Sequence, residues 1–190
     1  ALERAAAQGV TAAALGNLGH LALVRGLPLE PRGDFGLNVF NSAALRFLRG
    51  CGLSSATLSF ELRYEQLRDL SKHIPCEAIV YGRLPLMITE NCIVANEFGC
   101  RHFKTRCDAV RADSACAAAP ELTDRMGERF PVLHAYGCRS EIQNAKTLWL
   151  ADKPDYQRCG LTYARLRFTT ESAADCVRVL RAYKGLDDYV

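Results

Sequence analysis

The chain has 190 residues, 49% hydrophobic and 24% charged, which is the balance of a globular domain with an ordinary core and excludes a disordered segment. Twenty-four Lys and Arg against 21 Asp and Glu leave a net charge of +3, too little for bulk charge to select nucleic acid or an anionic membrane. No apolar run approaches the roughly 20 residues of a bilayer-spanning helix, and the Ala-rich start lacks the pattern of a signal peptide, so no membrane partner and a cytoplasmic location are expected.

In chain order, Leu2 to Gln8 reads as a helix and Val10 to Leu15 as a short strand closed by Gly16 and Asn17. A helix from Leu18 to Arg25 then stops at Gly26. Phe35 to Phe40 is strand-like and ends at Asn41 and Ser42, good N-cap types for a helix over Ala43 to Arg49. Ala56 to Phe60 predicts a third strand, Tyr64 to His73 the next helix, and Cys76 to Tyr81 a fourth strand ended by Gly82. The strand ends at Asn17, Asn41, Glu61 and Gly82 recur at the spacing that parallel strands with helical crossovers require.

After Gly82 the rhythm breaks. Leu84 to Val94 is apolar without a helical period, and the polar stretch from Asn96 to Pro120 is rich in cysteine. Glu121 to Val132 predicts a β-hairpin turning near Gly127. Leu161 to Phe168 reads as a last strand, and Glu171 to Tyr183 as an amphipathic helix with Ala174, Val177 and Leu180 or Arg181 spaced along it.

Four β/α units precede the interruption and one follows it, whereas a closed β/α barrel needs eight strands and typically about 250 residues. The expected fold is α/β, a partial TIM-barrel-like half with an inserted Cys-rich β-hairpin module. Residues 1–91 supply the β/α units, 92–150 the module and 151–190 the final unit. An open doubly wound sheet is the alternative. The start at Ala1, inside a predicted helix, reads as a fragment whose open edges are covered by a missing N-terminal barrel half or by another copy in a homo-oligomer.

In both architectures, sites lie beyond the carboxyl ends of the strands. Those ends carry Asn17, Asn38, Asn41, Glu61 and Arg83. Helix capping is the ordinary reason for Asn after a strand, so Glu61 and Arg83 are the candidate catalytic pair and Asn17 and Asn41 candidate substrate contacts. Glu61 would move a proton, and Arg83 would clamp an anionic group with paired hydrogen bonds.

Nine cysteines are too many for ordinary use and odd in number, which favours thiols or a metal over disulfides. Cys92, Cys100, Cys107, Cys116 and Cys138 cluster where little core is available, and four thiolates suit an iron–sulfur cluster or zinc. Unliganded loop thiols are the plainer reading, and His102 is a further candidate zinc ligand. Cys51, Cys76 and Cys176 fall within element patterns as inert core thiols. Between Cys100 and Cys107, Arg101, Lys104 and Arg106 surround Phe103, a local patch suited to phosphate and base stacking, hence to RNA, or simply a solvated loop. No GxSxG elbow and no HExxH helix occurs.

The string from Glu77 to Cys92 (EAIVYGRLPLMITENC), with Leu122 to Val132 (LTDRMGERFPV) and Gly137-Cys138-Arg139, resembles the collagenase-like peptidases of unknown catalytic type, peptidase family U32, over roughly Asp34 to Lys184. The resemblance implies the second half of that family's barrel with its cysteine module. It also implies either the peptidase activity of the family's label or, as in relatives linked to oxygen-independent hydroxylation of RNA bases or a quinone ring, an iron–sulfur cluster on four cysteines. Cys92 matches the second cysteine of the family motif, while Pro85 stands at the first and Glu90 at its glycine. The ligand set implied is Cys92, Cys138, Cys107 and, as the displaced fourth, Cys100 with Cys116 as its rival. A noncatalytic zinc-stabilised interaction module is the reading from a different class.

Overall fold

A computed structural model of the chain describes residues 1–99, 120–135 and 137–185. The described residues fall into two compact units, one formed by Ala1–Val80 with Leu150–Leu166, the other by the described parts of 81–149 and 167–190.

The first unit is built from β/α repeats. Helix α1 (Leu2–Ala7) precedes β1 (Ala12–Leu15), a 3-10 turn leads into α2 (Leu21–Val24), and β2 (Glu30–Gly33) follows. Helix α3 (Ser42–Gly50), β3 (Ser55–Thr57), α4 (Tyr64–Asp69) and the start of β4 (Cys76–Thr89) complete the run. The strands pair in parallel in the order β1-β2-β3-β4, as a portion of a β/α barrel does, and β8 (Tyr163–Arg167) pairs with β4. The core lies on the helix-bearing face. Leu45 and Leu48 of α3, one turn apart on one stripe, pack there with Val39, Ala56, Leu58 and Cys76.

One predicted strand is displaced. Phe35 to Phe40 is apolar enough for a strand, but Asp34 Oδ1 accepts from Phe35 N and starts a 3-10 turn over Phe35–Leu37, and Asn38 adopts φ 52°, which an extended strand does not allow. The strand is instead Glu30–Gly33, a polar segment containing Pro31 whose carbonyl still accepts from Ser54 N at 2.9 Å. The helix expected over Tyr64 to His73 is also shorter than its pattern suggests, α4 ending at Asp69.

The second unit is antiparallel. The rest of β4, which runs on past Gly82 to Thr89, pairs with β7 (Arg139–Trp149), β7 with β6 (Arg129–Ala135), and β6 with β5 (Glu121–Thr123). Strands β5 and β6 form a hairpin whose turn holds Gly127 at φ 84°, with Asp124 Oδ1 accepting from Met126 N and Glu128 N. The chain carries α5 (Ile93–Phe98) before the hairpin and α6 (Ala173–Tyr183) near its end. Ser172 and Asp175 form a capping box at the start of α6. The buried stripe of α6 is Val179 and Ala182; the predicted Ala174, Val177 and Leu180 are exposed. No helix among the described residues is long and apolar enough to cross a membrane.

Candidate functional site

The parallel register sets the site. Leu15, Gly33, Ala56 and Cys76 form one row across β1 to β4, and Thr57 and Glu77 form the next row toward the strand ends, level with the residue after β2, Asp34. Successive strand side chains alternate faces, so with Ala56 and Cys76 committed to the helix-side core, Ser55, Thr57 and Glu77 occupy the helix-free face. Strand β8 adds Tyr163 and Arg165 to that face.

Arg165 is the hub. Its Nη1 donates to Asp34 Oδ1 at 2.6 Å, and its Nη2 lies 2.6 Å from Glu77 Oε1 and 3.2 Å from Thr57 Oγ1. Thr57 Oγ1 is 2.8 Å from Glu77 Oε1 and 3.1 Å from the Gly33 carbonyl, so its single proton serves one acceptor at a time. Three neighbouring strands and β8 thus meet in one charge-assisted network whose ionic side chains keep only about a quarter of their surface. Such a network fixes geometry at a site more than it adds stability.

Beside it opens a cavity of about 260 Å³ lined by Ala12, Ala14, Arg32, Ser55, Glu77, Tyr163 and Arg165, among others. The two alanines leave the room. The Arg32 guanidinium lies over the Tyr163 ring, 5.6 Å from its centroid, and pairs with Glu30 at 2.9 Å. That pairing holds the Glu30 carboxyl below its usual range and raises Arg32.

Among the residues singled out by sequence, Asn17 Oδ1 accepts from Gly19 N and Asn41 Oδ1 from Ala44 N, both at 2.8 Å, which is the capping geometry. Glu61 is exposed in the turn after β3, its N–H directed to Ser59 Oγ at 3.4 Å. Arg83 lies in the second unit, where Nη1 donates to the carbonyls of Asn144, at 2.9 Å, and Ala145. Arg101, Lys104 and Arg106, with Cys100, His102, Cys107 and Cys116, lie outside the described residues.

Cys92 is buried, and its Sγ accepts from Ala95 N at 3.4 Å at the start of α5; Cys138 is half-buried in the β6–β7 turn at φ 61°. Their neighbours are tied together: Ile93 N donates to Ser140 Oγ at 3.0 Å, and Glu90 pairs with Arg139 at 2.8 Å. Both thiols are free, and no group of three or more His, Cys, Asp or Glu placed to hold a metal occurs among the described residues. Cys76 is a core thiol, its pKa pushed up to about 11 by burial, while Cys51 and Cys176 are only half-buried.

Asp34, Thr57, Glu77 and Arg165 were not legible as a group. The available signal was a charge inside an otherwise apolar strand. Glu77 interrupts Cys76 to Tyr81, and Arg165 interrupts the last strand; charges in a parallel strand are affordable only where they face one another or a ligand.

Searches of curated proteins and of solved structures return no match. Residues 1–186, almost the whole chain and including both units' described residues, match the sequence pattern of peptidase family U32, and the chain therefore belongs to that family.

Proposed function

We propose that the chain is part of an enzyme in which a thiolate centre supports hydroxylation of an RNA base or a related aromatic ring. The supporting observation is the tie between the segments bearing Cys92 and Cys138, through Ile93 with Ser140 and Glu90 with Arg139, which brings two cysteines 46 positions apart to one end of the second unit. Cys92 Sγ, held in place by Ala95 N at the start of α5, is one ligand of that centre in this reading. With Cys107 and Cys100 or Cys116 these thiolates would hold an iron–sulfur cluster, which when bound supplies electron transfer; zinc is the alternative occupant.

Hydroxylation replaces a ring C–H by C–OH, a two-electron oxidation of the ring. A hydroxylated organic donor balances it, giving up its hydroxyl oxygen and being reduced to its deoxy form. Arg101, Lys104 and Arg106 supply phosphate contacts in this reading, and the cytoplasm is its compartment. The family name favours a second reading, peptide hydrolysis, with Glu61 moving the proton.

Anaerobic purification followed by an absorption spectrum and iron, sulfide and zinc analysis tests the first reading. A brown protein whose colour is lost in Cys92→Ser and Cys138→Ser is expected; a colourless protein without iron from a strictly anaerobic preparation overturns it. Peptide cleavage abolished by Glu61→Gln would establish the second.

A further inference from the structure

We propose that the cavity beside Arg165 binds a small zwitterion, its carboxylate on Arg32 and its ammonium on Glu77. Arg32 and Glu77 line the same cavity, yet Arg32 takes Glu30 as its ion-pair partner and Glu77 takes Arg165. Opposite charges therefore lie on one cavity wall without closing on each other, leaving space for a ligand whose dipole runs in the reverse sense.

Each end of that ligand answers a specific deficit. On the Arg32 side, Glu30 takes Nη2 alone, which leaves guanidinium donors over. A guanidinium N–H in that state calls for an anionic acceptor, and a carboxylate is the compact one. On the Glu77 side, one cation, Arg165, is shared between two carboxylates, Asp34 and Glu77. An ammonium group at Glu77 would give that carboxylate a cation of its own. A simple anion would leave Glu77 sharing Arg165 with Asp34, and a simple amine would leave the remaining Arg32 donors unanswered.

Size sets the ligand class. A volume of about 260 Å³ is below the roughly 300–1,000 Å³ of sites for drug-sized ligands, which fits a free amino acid. Ser55 and Tyr163 also line the cavity.

The site uses no cysteine, so it stands or falls separately from the thiolate centre. Isothermal titration calorimetry of the full chain with L-alanine, N-acetyl-L-alanine and L-alaninamide is the test, since the last two each cancel one charge. L-alanine is expected to bind about tenfold or more tightly than either blocked form, and Arg32→Gln to lose that preference, as expected for a charge-assisted contact. Arg32 is partly exposed, so this variant should keep the parent's circular dichroism and melting curve. Equal affinity for all three compounds, undetectable heat with L-alanine, or unchanged L-alanine binding by folded Arg32→Gln overturns the proposal. Chelation that strips iron or zinc should leave L-alanine binding unchanged.

Discussion

The Tyr81 hydroxyl donates to Glu171 Oε1 at 3.2 Å, while the other oxygen of the same carboxylate accepts from Thr169 N at 2.6 Å and Thr170 N at 3.0 Å. Glu171 therefore fastens the turn before α6 to the ring at the centre of the second unit's aromatic cluster. Trp149, Phe168 and Tyr183 surround Tyr81 with centroids at 5.7, 5.4 and 6.3 Å, mostly edge-on or tilted, the arrangement favoured by ring quadrupoles. Burial, reinforced by the Glu171 charge, pushes the Tyr81 phenol up to about 12.

A pH dependence follows from that shift. Unfolded Tyr81 ionises near its ordinary value of about 10, while the folded phenol keeps its proton, so the stabilisation is complete below pH 10 and is lost as pH rises toward 12. Tyr81→Phe should cost about 1 kcal/mol at pH 7, the value of one hydrogen bond, and flatten the stability curve between those pH values. Urea titrations at a series of pH values measure both.

Much of this architecture was legible where burial is one-sided or complete. The row of β/α units, the α3 cap at Asn41 and the hairpin turn at Gly127 follow from local chemistry that tertiary contacts do not override. Strands β2 and β7 were not legible. Glu30-Pro31-Arg32-Gly33 faces a polar cavity, and β7 alternates around Ser140 and Gln143, which are fully buried yet polar. Gln143 is accommodated because its Nε2 donates to Glu141 at 2.6 Å and its Oε1 accepts from Arg167 at 2.6 Å, a compensation that no periodicity of apolar residues reveals. The Arg165 network was hidden for the same reason, its members lying as far apart in sequence as Asp34 and Arg165.

Asn41 separates capping from substrate binding. Asn41→Ala removes the acceptor for Ala44 N and should cost about 1 kcal/mol, whereas Asn41→Asp should retain most of it. For a chain of this length that is a melting shift of about 2–4 °C in the alanine variant. Full activity in Asn41→Ala below its melting temperature is expected; a loss in both variants at unchanged stability would assign the side chain to substrate instead.

Removing the hub cation should be more damaging than removing either acid. Arg165→Met leaves Asp34 and Glu77 without their shared counter-charge, and a cost of about 2–4 kcal/mol is expected for these partly buried groups. Asp34→Asn in the same background should recover part of that loss, since it removes one of the two stranded charges. A double-mutant cycle by chemical denaturation gives the coupling, expected at about 1–2 kcal/mol.

Gly82 lies near the start of the antiparallel part of β4, one residue after Tyr81. Its φ of 119° is available to glycine and strained for any other residue, and a Cβ there would overlap the backbone carbonyl of Arg167, which has no side-chain freedom with which to give way. Arg167 cannot shift cheaply either, because its guanidinium is held by the Arg83 carbonyl, Gln143 and Glu141. Gly82→Ala should therefore cost more than about 3 kcal/mol, seen as a large drop in melting temperature or in soluble yield. Gly127→Ala is the matched control. That residue also has positive φ, at 84°, but nothing lies within 4 Å of the added methyl, so only the conformational cost of about 1–2 kcal/mol applies. Equal effects of the two substitutions would mean that backbone conformation alone, and not the close approach of Arg167, requires glycine at position 82.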